Sequence, residues 1–112
     1  MSCNKLSLLH QQQLLKIARQ SIEQGVNTHR PCQVSVASMD SVLQSEGCSF
    51  VTLQLHGELR GCIGALQAYQ SLAEDVAEHA YAAAYRDPRF EPVNSNEIPL
   101  LNISISVLNS RP

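Results

Sequence analysis

Apolar and polar residues alternate most cleanly at the end of the chain. Leu101, Ile103, Ile105 and Val107 interleave with Asn102, Ser104 and Ser106, a period of two that predicts a half-buried strand over 101–108. The same rhythm runs over 50–55, where Val51, Leu53 and Leu55 share one side and Thr52 and Gln54 the other, and again over 59–64. Directly opposed residues of an antiparallel pair share a face. The register that buries both apolar sets therefore pairs Leu55 with Leu59, Leu53 with Gly61 and Val51 with Ile63. It leaves His56, Gly57 and Glu58 as the hairpin loop. On the opposite face, Gln54 then opposes Arg60, and Thr52 opposes Cys62.

Two stretches follow the helical period instead. Over 8–24, Leu14, Leu15, Ala18 and Ile22 form one stripe, with Lys16, Arg19 and Glu23 away from it. Ser7 suits the N-cap, and Gly25 suits a left-handed closing position. Ser71 and Glu74 spell a capping box, so a second helix is expected from Leu72 to about Tyr85. Glu74 and Asp75 sit in its first turn, where the helix dipole favours negative charge. Its inner surface is Leu72, Val76, Ala80, Ala83 and Ala84, and so many alanines imply a close approach to the sheet. His79, at the edge of that stripe, reads as a packing residue. Between the first helix and the hairpin, 34–37 reads as a short strand and 38–44 as a helical turn or an extended arm. Pro88 ends the second helix, and Asp87 before it is a turn former that folds back on backbone N–H groups.

Composition narrows the class. The chain has 112 residues, enough for one domain spanning 1–112, with 44% hydrophobic and 16% charged residues. Its net charge of −2 comes without a basic cluster, so a nucleic-acid partner is not expected. No apolar run approaches the roughly 18 residues of a spanning helix, and no apolar signal core opens the chain. A cytoplasmic protein without a membrane partner is the default expectation. Cysteines at 3, 32, 48 and 62 show no CxxC spacing and read as free thiols. His29 and Cys32 have the separation of a ligand pair, but no second pair completes a tetrahedral zinc site, so no metal is expected.

The strand over 59–64 carries an unusual load: Arg60, Gly61, Cys62 and Gly64. Arg60 and Cys62 stand two residues apart on one face, about 7 Å between Cα atoms. A positive charge at that range favours the reactive thiolate. Glycine within a strand marks a bulge or a close approach by a ligand or another backbone. The competing reading makes Cys62 a buried, inert thiol beside glycines that make room for a helix. Arg86 and Arg89 divide in the same way, between holding an anionic ligand and lying solvated beside a loop anchored by Phe90.

Three stretches, LRGCIG over 59–64, AYRDPRF over 84–90 and ISVL over 105–108, with FVTL over 50–53 before them, together resemble the AMMECR domain family. The resemblance implies an α+β fold, an antiparallel sheet with flanking helices. It also implies a domain that continues past the last strand, so the chain resembles the N-terminal portion of a longer domain, truncated at the C-terminus. It supplies no established reaction and no cofactor. The AmmeMemoRadiSam system in which such domains are named implies a Memo-type protein and a radical SAM enzyme as partners. Three functions follow. The first is an accessory module that binds a small ligand or a protein through Thr52, Arg60, Gly61, Gly64, Arg86, Asp87 and Arg89. The second is a thiol enzyme with Cys62 as catalytic nucleophile, Arg60 favouring the thiolate and His56 or His79 as base. The third is a purely architectural LRGCIG motif.

Overall fold

The computed structural model describes residues 6–108. Helix α1 (Leu8–Thr28) leads through an irregular segment and the short α2 (Ser41–Gln44) to a hairpin of β1 (Cys48–Leu55) and β2 (Glu58–Gly64). Helix α3 (Leu72–Tyr85) and β3 (Leu101–Leu108) follow. The three strands form one antiparallel sheet in the order β2-β1-β3, and α1 and α3 cover one of its faces. This is the α+β arrangement expected.

The core forms where the periodic stripes meet. Val51 and Leu53 of β1 are fully buried against Val76, Ala80 and Ala84 of α3, with Leu14, Ala18 and Ile22 of α1 completing the cluster. The alanines bring α3 close to the sheet, and at Gly61 the approach leaves no room for a side chain. A Cβ there would lie 2.0 Å from the Ala83 carbonyl oxygen. The start of β3 is held from α1, because the Arg19 guanidinium donates to the carbonyls of Ile98 at 2.9 Å and Leu101 at 2.8 Å.

Four local expectations are corrected. Helix α1 runs on to Thr28, and Gly25 lies inside it because Tyr81 and Tyr85 occupy the space of a side chain there. His29 takes the left-handed closing position at φ 60°, and its N–H returns to the Gly25 carbonyl at 2.9 Å. The segment 34–37 forms no strand; Val36–Ser38 makes a 3-10 turn and α2 supplies the helical turn that follows. The hairpin keeps the expected pairs Val51–Ile63, Thr52–Cys62 and Leu53–Gly61, then slips. Gln54 pairs with Leu59 and Leu55 with Glu58, so Arg60 is the extra residue of a bulge. The loop shrinks to His56 and Gly57, both with positive φ (53° and 82°), as a tight hairpin reversal requires. Among the described residues no helix is long and apolar enough to cross a membrane.

Candidate functional site

The bulge decides where Arg60 goes. Residues on the helix-covered side of β2 are Gly61 and Ile63, and Cys62 lies opposite, its Sγ 3.1 Å from Thr52 Oγ1. Arg60, outside the strict alternation, turns to the segment after α3. Its Nε and Nη2 meet the two carboxylate oxygens of Glu97 at 3.2 and 3.0 Å, and its Nη1 donates to the Glu91 carbonyl at 2.8 Å. The guanidinium depresses the Glu97 carboxyl below its ordinary range. The hydrogen bonds of Arg60 are thus spent on a fork-to-fork contact with Glu97 that ties the hairpin to the chain before β3.

The two stretches LRGCIG and DPRF meet at the edge of the sheet. Asp87, just past the end of α3, is buried at 4% exposure. Its Oδ2 accepts the Cys62 backbone N–H at 3.0 Å, and its Oδ1 accepts the Arg89 N–H, also at 3.0 Å. The Arg89 side chain closes the arrangement, with Nε 3.0 Å and Nη2 2.7 Å from the carboxylate, and Nη2 also reaches the Cys62 carbonyl at 3.4 Å. The hydrogen bonds from Arg89 hold the Asp87 carboxyl well below the usual carboxylate range, against the opposing pull of burial and with help from the two backbone N–H groups. Both peptide groups of Cys62 that face away from β1 are thus partnered by two side chains. The turn-former reading of Asp87 holds for Arg89; its reach to β2 lies beyond what the local sequence suggested.

The remaining candidates fall into two sets. Gly61 seats α3, as described above, and Gly64 lies beneath the Phe50 ring, where a Cβ would fall 2.3 Å from Phe50 Cγ. Arg86 is exposed, its guanidinium 5.4 Å from the centre of the Tyr81 ring. Thr52 and Cys62 present their polar atoms on the face of the sheet away from the helices. They share it with Gln54 and, across β1–β3, with Asn102, Ser104 and Ser106, which are exposed.

The proposed bases lie elsewhere. His56 is at the exposed hairpin tip, about 13 Å along the strand from the Thr52–Cys62 pair. His79 is buried on the helix side, where its Nδ1 lies 3.0 Å from Asp75 Oδ2. Ser49 Oγ donates to the same oxygen at 2.8 Å, and Gln70 donates to Oδ1 at 3.2 Å. Burial pushes the Asp75 carboxyl up, and the hydrogen bonds from His79, Ser49 and Gln70 outweigh it and leave it low; the bond to Asp75 raises His79. Asp75 was read from sequence as a dipole partner at the helix start, yet it is fully buried as the centre of this network. Its spacing of four from His79 was the available signal. Cys48 lies alongside, its thiol pushed up by burial and then by Asp75. Among the described residues no cluster of His, Cys, Asp and Glu has the makings of a metal site; His29 caps α1 and the Cys32 N–H donates to Ser21 Oγ at 3.1 Å.

Comparison with known proteins bears on the family and the fold. A protein of Methanothermobacter thermautotrophicus is 38% identical over 95 residues, which cover 85% of this chain and 49% of that protein. One of Sulfolobus acidocaldarius is 36% identical over 110 residues, covering 94% of this chain and 47% of the relative. The crystal structure of an uncharacterised protein from Pyrococcus horikoshii superposes with a TM-score of 0.82 at 30% identity, over 89% of this chain and 51% of that one. The chain thus spans about half the length of the relatives it matches. The AMMECR1 family profile matches residues 15–111, which take in both the hexapeptide and the turn that seals its edge, and the chain belongs to that family.

Proposed function

We propose that the chain is a binding module, and that the surface it offers is the helix-free face of the sheet around Thr52 and Cys62. One observation carries this reading. The charged and glycine residues of the two motifs are engaged inside the molecule: Arg60 with Glu97, Asp87 and Arg89 with the Cys62 backbone, Gly61 with α3 and Gly64 with Phe50. They fix β2 in place, and Thr52, Cys62, Gln54 and Ser104 remain on an uncharged face that also carries Phe50 and, opposite Gln54, the exposed Leu59. Such a face suits a small polar ligand or the surface of a protein, and the partners implied by the family's system name, a Memo-type protein and a radical SAM enzyme, are the first to try. The thiol-enzyme reading is supported less, since neither His56 nor His79 stands near the Cys62 sulfur.

The test is amide NMR mapping with a small-molecule library and with each of those two proteins. Perturbations that gather on Thr52, Cys62 and Ser104, and vanish in Thr52→Arg while Cys62→Ser retains them, support the module. Perturbations confined to α1 or the hairpin tip, or binding untouched by Thr52→Arg, overturn it.

A further inference from the structure

We infer that the segment 65–70, which joins β2 to α3, is a proton-controlled strap: it is clasped to α3 while the Asp75–His79 pair is charged, and it lifts when His79 gives up its proton. The segment has little apolar anchorage, since Leu66 is 76% exposed and Tyr69 59%. Its side-chain ties are polar and end on two carboxylates of α3. Gln70 Nε2 donates to Asp75 Oδ1 at 3.2 Å and to Glu78 Oε1 at 2.7 Å, and the Tyr69 hydroxyl donates to the same Glu78 oxygen at 2.9 Å. Two backbone bonds secure its ends. The Gly47 N–H donates to the Gln70 carbonyl at 3.2 Å, and the Ala65 N–H to the Ser49 carbonyl at 3.4 Å.

The clasp is built around a buried charge. Asp75 is fully buried, so its carboxylate stays ionised only with donors and a counter-ion. Ser49 and Gln70 supply neutral donors, and His79, itself buried, supplies the cation. Among the described residues no lysine or arginine pairs with Asp75 or Glu78. The other groups around the pair add no positive charge: Glu78 on α3, Ser49 and the Cys48 thiol on β1, and the Tyr69 phenol on the strap. Helix α1 meets this part of α3 through the uncharged Ser21, and Glu46, whose backbone bridges to Ser71, is exposed. The bond to Asp75 raises His79 against the pull of burial, and Glu78 adds to it.

Loss of the imidazolium proton leaves the two carboxylates that share the Gln70 amide without a cation. Water is the remaining source of solvation, and the strap, its apolar side chains already exposed, has the least to give up in admitting it. Helix α3 and the sheet stay packed through Val51, Leu53, Val76 and Ala80. The clasped form holds the proton more tightly than the lifted form, so lifting grows as pH rises through the folded value of His79.

The experiment is amide hydrogen exchange of the 112-residue chain, followed by NMR and corrected for intrinsic rates. It runs from about pH 6 to about pH 9, on both sides of the ordinary imidazole value of about 6.5. The Gly47 and Ala65 N–H groups are expected to lose protection by about threefold or more as pH rises. Low urea should leave that loss unchanged, the mark of a local opening, whereas Val51 in the core responds with the slope of global unfolding. The midpoint should coincide with the titration of the His79 ring in the same samples, and His79→Gln should abolish the pH response. A flat profile at Gly47 and Ala65 overturns the proposal, as does protection there that falls with urea as steeply as at Val51. An equal fall in folded His79→Gln does so too. Where that variant does not fold, a wild-type midpoint apart from the His79 titration is the overturning result.

Discussion

The two outer strands of this sheet are finished in opposite ways. β2 is fastened on every side: Gly61 lies against the backbone of α3, Arg60 is forked to Glu97, and Asp87 with Arg89 covers the rim at Cys62. Among the described residues β3 is fastened inward, through Ile103, Ile105 and Val107 and through Arg19 at its start. Among the described residues, the motif-rich strand is therefore the closed one and the plain strand the open one. A motif spelled with arginine, cysteine and glycine invites a chemical reading. Here most of its letters answer to packing and to edge protection, and the surface proposed for recognition is made largely of ordinary threonine, serine and asparagine.

Three measurements test how firmly β2 is held. The largest effect is expected for Gly61→Val, because the contact it creates is with a helix carbonyl that cannot rotate away. Urea unfolding should show a loss of about 3 kcal/mol or more, or no folded protein. A loss under about 1 kcal/mol, the size of an ordinary surface change, would show that α3 is free to move off β2. Next is Asp87→Ala, which strips a partner from the part-buried Cys62 N–H and should cost about 1–3 kcal/mol. Its pH dependence has a definite sign. The Asp87 carboxyl is depressed in the fold, so its contribution is complete above the ordinary carboxyl range and fades as pH falls toward its own lower value. Wild type should thus lose stability in acid more steeply than the variant.

The smallest effect concerns β1, which both edges share. His79 is raised above the ordinary imidazole value of about 6.5 by Asp75, so the stability it adds is present below that value and is lost as pH rises through its folded value. Asp75, held low, loses its share only in acid. Unfolding followed from pH 6 upward, a range set by that imidazole value, should show a modest decline that His79→Gln removes. A decline of equal slope in the variant would mean that another group titrates.

Much of the fold was legible because its signals are local. The capping box at Ser71 and Glu74 sets the start of α3, with Glu74 N–H donating to Ser71 Oγ at 3.2 Å. The alternation of β3 and the register Val51–Ile63 and Leu53–Gly61 follow from one apolar face. The bulge was hidden because its cause lies in the turn: a His-Gly pair accepts two positive φ values, and the shorter loop displaces Arg60 by one position. Gly25 read as a terminator because the tyrosines that need its space are 56 and 60 positions on, counting from 25 to 81 and 85. The site suffered likewise. Arg60 and Glu97, 37 residues apart, and Cys62 and Asp87, 25 apart, carry no mutual signal in one sequence.

The seal on β2 also has an order in time. Asp87 and Arg89 come after α3 in the chain, so during synthesis the hairpin exists before the residues that shield it. Until α3 has docked and brought its last turn to Cys62, the nascent sheet carries an unguarded strand at the motif. That interval is when a cell would have most reason to keep this chain escorted.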